Sequence, residues 1–272
     1  MTAPRALPID PADFAAYYTF SPTALALREC ERLRVARTIS LEEPILDVGC
    51  GDGLFARLAY PGKQSWGIDI NPTEVRRAQA SSAYSTLICG SICDVDLPHG
   101  FFASAIANCS LEHVPDLDAA LRNIKSALRP GGSFVLIVPT PRWTDYLATV
   151  EALRGIGLHA LAQAYSDGLN KVFSHIHLYD EKEWERRLLS AGFTDIKSEP
   201  IVEHALSWTF DVFLYPSAFA YLTKKLTGRW VVAPGLRFIT ADAARNLASR
   251  VAELAPKSKG AGEYLISCRV AP

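Results

Sequence analysis

This 272-residue sequence predicts an α/β protein built on a doubly wound, seven-stranded, mostly parallel sheet. Three observations carry that expectation. Strand-like and helix-like stretches alternate through residues 44–139, the pattern of a parallel sheet covered on both faces. The first apolar run (Ile45, Leu46 and Val48 around Asp47) leads directly into glycines at 49, 51 and 53. The next run ends on Asp69, about 20 residues further along.

Taken in order, residues 1–10 read as a loose arm. Ser21-Pro22 reads as a helix start, with Pro22 in the first helical position. Leu25, Leu27, Leu33 and Val35 then recur at helical spacing, so the helix extends from Thr23 to Thr38. Strands are expected at Pro44 to Val48, Ser65 to Ile70, Thr86 to Gly90, Phe102 to Asn108 and Ser133 to Pro139. Asn71 caps a helix that carries Pro72 in its first turn. A helix from Asp116 to Leu128 stops before Pro130-Gly131-Gly132. Residues 140–179 form a long connection. Asp180 caps the next helix, with Glu183 at capping-box spacing, and Gly192 ends it. The last two strands, Thr194 to Ile201 and Glu263 to Val270, enclose an aromatic-rich insertion. The expected organisation is an N-terminal arm and helix (1–40), a core (41–201 with 263–272), and helical caps (140–179 and 202–262).

Composition narrows the function classes. The net charge of −1 gives no bulk attraction to nucleic acid. The six cysteines contain no Cys-x-x-Cys pair, and Cys89 and Cys93 have no second pair nearby, so zinc is not expected. Buried free thiols suit a reducing compartment. Residues 1–11 carry no apolar signal-peptide core, and the most apolar long stretch, Ala205 to Thr223, is interrupted by Asp211 and Pro216. A cytoplasmic protein is expected. Glu112, Asp116 and Asp118 gather near one helix start, where the dipole favours acidic residues, so no metal site is expected.

The strand–glycine turn–helix unit lets backbone approach a ligand closely, and an acidic residue ending the second strand can accept ribose hydroxyls. The glycines follow D-x-G-x-G-x-G rather than the G-x-G-x-x-G of dinucleotide sites. The stretch Asp47-Val48-Gly49-Cys50-Gly51-Asp52-Gly53 resembles the first motif of class I S-adenosylmethionine (SAM)-dependent methyltransferases, and Asp69 their acidic second motif. Gly90-Ser91-Ile92-Cys93-Asp94, Asn108-Cys109-Ser110-Leu111-Glu112-His113, Leu128-Arg129-Pro130-Gly131-Gly132 and His175-Ile176-His177-Leu178-Tyr179 extend the resemblance to the small-molecule, type 11-like branch. It covers about residues 40–200. It implies SAM as cofactor, with S-adenosylhomocysteine as product, held by Asp47, Gly49, Cys50, Gly51, Gly53, Asp69, Ile70 and Asn108. The third motif usually has an acidic residue directly after its glycine; Ser91 stands there, so Ser91, the backbone of Ile92 and Asp94 all remain adenine partners. Tyr17 and Tyr18 are aromatic candidates to cover the cofactor.

The implied activity is methyl transfer to a small-molecule acceptor, with a hydroxyl favoured: a natural product, a sugar or a quinone-like compound. A hydroxyl must lose its proton, and histidine is the usual base near neutral pH. His113, His175 and His177 are the candidates. Two other classes fit the motifs, a SAM-binding partner without catalysis and a nicotinamide-dependent oxidoreductase. Residues 202–262, with their many aromatics followed by Lys224, Lys225 and Arg229, read as a cap over the acceptor or as a weak contact with membrane or lipid substrate.

Overall fold

The computed structural model describes residues 7–272. Residues 1–6 of the expected N-terminal arm lie outside the described residues. In chain order the elements are α1 (Pro11–Phe20), α2 (Thr23–Ala36), β1 (Ile45–Val48), α3 (Leu54–Ala59), β2 (Ser65–Asp69), α4 (Pro72–Ser81) and β3 (Thr86–Cys89). There follow β4 (Phe102–Asn108), α5 (Leu117–Ala127), β5 (Leu128–Pro139), α6 (Ala148–Gly155) and α7 (His159–Val172). The chain closes with α8 (Glu181–Ser190), β6 (Phe193–Glu203), α9 (His204–Thr227), α10 (Pro234–Ala252) and β7 (Ala261–Val270). Among the described residues no helix is long and apolar enough to cross a membrane.

These elements form two compact units. One comprises Val35–Pro141, Ser174–Glu199 and Glu263–Pro272; the other comprises the described part of Met1–Arg34 with Arg142–Phe173 and Pro200–Gly262.

The first unit is built on a seven-stranded sheet of order β3-β2-β1-β4-β5-β7-β6. Strands β1 to β5 pair in parallel, and β7 runs antiparallel to β5. The order reverses at β1, which pairs with β2 on one side and β4 on the other. Such a switch point opens a crevice at the strands' carboxyl ends. Every residue of β1 is buried, as expected of a strand covered on both faces. Leu117, Leu121 and Ile124 of α5, with Trp184 and Leu188 of α8, complete a core against Leu46, Phe134 and Phe193. The caps follow the sequence. Asn71 accepts from the Thr73 amide at 2.9 Å, and Asp180 from the Glu183 amide at 2.9 Å.

The second unit is helical. The helix α1 was not anticipated, although Asp10 and Pro11 announce it. Asp10 accepts from the amides of Ala12 (2.9 Å) and Asp13 (3.0 Å), and Pro11 opens the helix without an unmet donor. Ser21 terminates α1 instead of capping the next helix, its amide donating back to the Tyr17 carbonyl at 2.9 Å. Thr149 and Tyr165 converge on Asp211 of α9, which is fully buried: the Thr149 amide donates to one carboxylate oxygen at 2.7 Å and the Tyr165 hydroxyl to the other at 2.5 Å. These bonds satisfy a buried carboxyl within the most apolar stretch of the helix. They explain why Asp211 breaks the apolar run without breaking the helix.

The turn after β1 depends on crowding. Gly49 has φ +77°, and a Cβ built there would collide with the side chain of Ser110, whose hydroxyl donates to the Val48 carbonyl at 2.6 Å. Gly49→Ala therefore meets both left-handed strain and overpacking. A loss of at least about 2 kcal/mol is expected in urea unfolding. The double change Gly49→Ala with Ser110→Gly should recover the packing part alone; an unchanged midpoint for the single variant would remove this account of the turn.

Candidate functional site

The crevice at the ends of β1, β2 and β4 is a groove of about 280 Å³. Val48 and Gly49 form one wall, Asp69 and Ile70 a second, and Gly90, Ser91 and Ile92 a third. Cys109, Ser110, His113, Val114 and Pro115 close the fourth side.

Asp69 is braced by backbone. One carboxylate oxygen accepts the Gly51 amide at 2.9 Å, the other the Asn71 amide at 2.8 Å. Two fixed donors leave the outward lone pairs oriented for further donors, as a vicinal diol would supply. Gly51 has φ +53° and nothing lies within 4 Å of where its Cβ would stand, so a ligand can approach this backbone. Ile70 is 73% exposed, a large apolar side chain presented at the rim, and Ile92 lies buried in the opposite wall. Asn123 of α5 holds that wall from behind, its amide nitrogen donating to the carbonyls of Ile92 (2.7 Å) and Val95 (2.9 Å).

Of the remaining residues expected at the cofactor, Ser91 lines the groove, and Asp47, Cys50, Gly53, Asp94, Asn108 and Tyr18 are not among its walls. Asp47 lies beneath the loop, fully enclosed, with one oxygen accepting the hydroxyls of Tyr60 (2.5 Å) and Tyr84 (2.6 Å). Tyr84 also reaches the Cys50 carbonyl at 3.4 Å, so the pair fastens the glycine loop to its strand. Burial pushes the Asp47 carboxyl up to about 6; the two tyrosine bonds pull against this and the nearby Asp69 charge adds to it. The Cys50 side chain is buried against Gly67, and burial pushes its thiol up. Gly53, with φ +79°, turns the chain into α3. Asn108 ends β4 in register with Ile137. Ser91 lines the groove, and its hydroxyl accepts the Cys93 amide at 3.2 Å; Asp94 is exposed in the turn beyond. Tyr18 belongs to the helical unit. It is buried there beneath the Arg237 guanidinium, 3.6 Å from the ring centre, with its hydroxyl 3.3 Å from Thr240.

The three histidines separate by tautomer. Nδ1 of His113 stands 3.0 Å from the Ser174 carbonyl, which only accepts. In the neutral ring Nδ1 therefore carries the proton and Nε2 keeps its lone pair. The buried Glu112 carboxyl lies 3.7 Å from Nε2, beyond hydrogen-bond reach of the neutral ring. His175 stacks on His113 with ring centres 5.6 Å apart. His177 is turned away: Nε2 donates to the Val114 carbonyl at 2.8 Å, and Nδ1 accepts the Tyr179 hydroxyl at 2.9 Å. With both nitrogens engaged, His177 ties its segment to the loop after β4. The amides of Ile176 and His177 reinforce the tie through the Glu112 carbonyl.

Sequence reasoning missed Tyr60, Tyr84, Ser110 and Asn123. One signal was available: an aspartate inside a buried strand needs donors, and tyrosines follow the next two helices. Among the described residues no group of three histidine, cysteine or acidic side chains is gathered to hold a metal.

A family model described as a methyltransferase domain matches residues 24–198. An uncharacterized methyltransferase of Mycobacterium tuberculosis is 34% identical over 96 residues, 34% of this chain and 49% of that protein. A ubiquinone biosynthesis O-methyltransferase of Chromobacterium violaceum is 35% identical over 95 residues, 32% of this chain and 40% of its own. The matches thus span half or less of these relatives. A solved SAM-dependent methyltransferase of Thermotoga maritima, a possible histamine N-methyltransferase, superposes with TM-score 0.57 at 15% identity over 90% of each chain. At that identity the likeness speaks for the fold.

The Asp47 clasp makes a pH prediction. A carboxyl held near 6 rather than 3.8 stabilises the fold fully below the lower value, and that contribution is lost as pH rises through the higher. Asp47→Asn removes the titration. Urea unfolding of both proteins between pH 4 and pH 7 should show wild type losing about 2 kcal/mol relative to the variant. A constant difference would mean Asp47 titrates normally.

Proposed function

The chain belongs to the methyltransferase-domain family, and from that premise we propose that it transfers a methyl group from SAM to a hydroxyl of a small-molecule acceptor. The braced Asp69 carboxylate beside an open glycine backbone is the observation that carries the cofactor reading. The donor set suits SAM. Asp69 would take the ribose hydroxyls, the backbone around Gly49 and Gly51 the methionine end, and Ile70 and Ile92 the faces of adenine. The outward lone pairs of Asp69 and the open space over Gly51 fit that assignment. When bound, SAM supplies an electrophilic methyl group on a sulfonium.

The chain's part is to position the acceptor and to take its proton. Orientation alone supplies up to roughly 7–11 kcal/mol in ideal cases. His113 is the base: Ser174 fixes its tautomer, and Nε2, 3.7 Å from Glu112, is available. The name of the C. violaceum relative supports oxygen as the acceptor atom. Selection of the acceptor is assigned to residues 140–179 and 202–262, of which 142–173 and 202–262 belong to the helical unit. Six free cysteines suit a reducing, cytoplasmic setting.

Two measurements test this. Each charge-assisted bond to Asp69 is worth roughly 1.5–3 kcal/mol, so Asp69→Ala should weaken SAM at least tenfold in calorimetry while the fold survives. Unchanged affinity, or tighter binding of NAD than of SAM to the wild type, would overturn the cofactor assignment. On a panel of phenols, sugars and hydroquinones, His113→Gln should lower turnover by about two to four orders of magnitude with SAM affinity intact. Normal turnover in that variant would remove the base. No turnover by wild type on any acceptor, with SAM bound, would favour a non-catalytic SAM-binding protein.

A further inference from the structure

Helix α9 carries apolar side chains toward a cavity on one side and toward solvent on another. Leu214, Ala218 and Tyr221 wall an apolar cavity of about 450 Å³ inside the helical unit. Phe219, Leu222 and Leu226 form a different stripe, spaced three and four residues apart, and are 77%, 52% and 77% exposed. Across the turn, Val232, Leu236 and Ile239 are equally open. Scattered apolar side chains at a surface need no explanation, but these six large ones, each more than half exposed, within 21 residues of chain point to a partner.

The charge around the strip identifies that partner. Between Asp211 and Asp242 the sequence contains no acidic residue, whereas Lys224, Lys225, Arg229 and Arg237 all fall there. Arg237 is committed internally, donating to the carbonyls of Tyr18 and Ser21. Lys224 and Lys225 lie in the last turn of α9, and Arg229 in the connection to α10. Lys224 stands 4.5 Å over the Trp230 ring and Lys225 5.0 Å over that of Tyr221. Two copies meeting through this strip would bring like charges together across the symmetric contact. An anionic bilayer satisfies both features: apolar side chains enter the acyl boundary, aromatics sit at headgroup level, and cations meet the lipid charge. Because α9 is too polar to span, the fit is to an interface.

We propose that the turn joining α9 to α10, with the exposed strip beside it, docks this protein on membranes bearing anionic lipids. The test is co-sedimentation of the full chain with vesicles of phosphatidylcholine alone or mixed with phosphatidylserine. Wild type should pellet with the mixed vesicles, far less with the neutral ones, and be released by high salt. Lys225→Glu with Arg229→Glu should weaken binding at least tenfold, since each basic residue is worth roughly fivefold. Phe219→Glu with Leu226→Glu should abolish it. All four positions are exposed or at the surface strip, so thermal unfolding and SAM binding of both variants should match wild type; a variant that fails this check is replaced by the corresponding serine substitutions. Equal recovery on both vesicles, or none on either, overturns the proposal. A wild-type dimer in light scattering that becomes monomeric with Phe219→Glu and Leu226→Glu, without vesicle binding, assigns the strip to a second copy instead.

Discussion

The carboxylate of Asp47 sits wholly inside the first strand, held by the hydroxyls of Tyr60 and Tyr84, and the glycine loop takes its course from that clasp. A lone ionised group buried in this way would be expensive, and two short bonds to one oxygen only partly offset the loss of water. The arrangement persists because the same hydroxyls do more than satisfy the charge. Tyr84 reaches on to the Cys50 carbonyl, and Tyr60 ends the helix that the loop begins. With its base fixed, the loop can leave Gly51 open above while its amide braces Asp69. The groove-lining carboxylate of Asp69 is thus oriented by a second carboxylate that does not line the groove.

The same economy of contacts sorts the histidines. Backbone carbonyls select the tautomer in each case, but opposite nitrogens are chosen. In His113 the carbonyl takes Nδ1 and leaves Nε2 available, whereas in His177 the carbonyl takes Nε2 and a tyrosine fills the other position. A difference of one hydrogen bond therefore separates a group able to receive a proton from one that is purely a fastener.

Much of the sheet was legible because its strands obey one local rule. Ile45, Leu46 and Val48 around Asp47 read as a strand covered on both faces, and Phe102 to Asn108 forms the strand expected of it. Caps were legible where the donor and acceptor are neighbours, as at Asn71 and Asp180. Strand ends were less so: β5 begins at Leu128, not Ser133, because pairing with Phe102 extends it past Gly131 and Gly132. Helices α6 and α7 were read only as a connection, since their residues mix apolar and polar side chains without a clear stop. The site divided in the same way. Asp69 and the glycines announce themselves by spacing, but Ser110, Tyr60 and Tyr84 act across long stretches of chain. Which ring nitrogen a histidine leaves available depends on a carbonyl some 60 positions away, which no local pattern reveals.

Distance along the chain has a kinetic consequence. The glycine loop is held by partners 13, 37 and 62 residues from the groups they bind, namely Tyr60, Tyr84 and Ser110. Its shape therefore cannot form from local interactions; β2, β3 and β4 must already be assembled around β1, and each closure carries its own entropic cost. A groove that forms only after those strands have met offers a ligand little to hold in the transition state, so such a ligand is expected to slow unfolding more than it speeds folding.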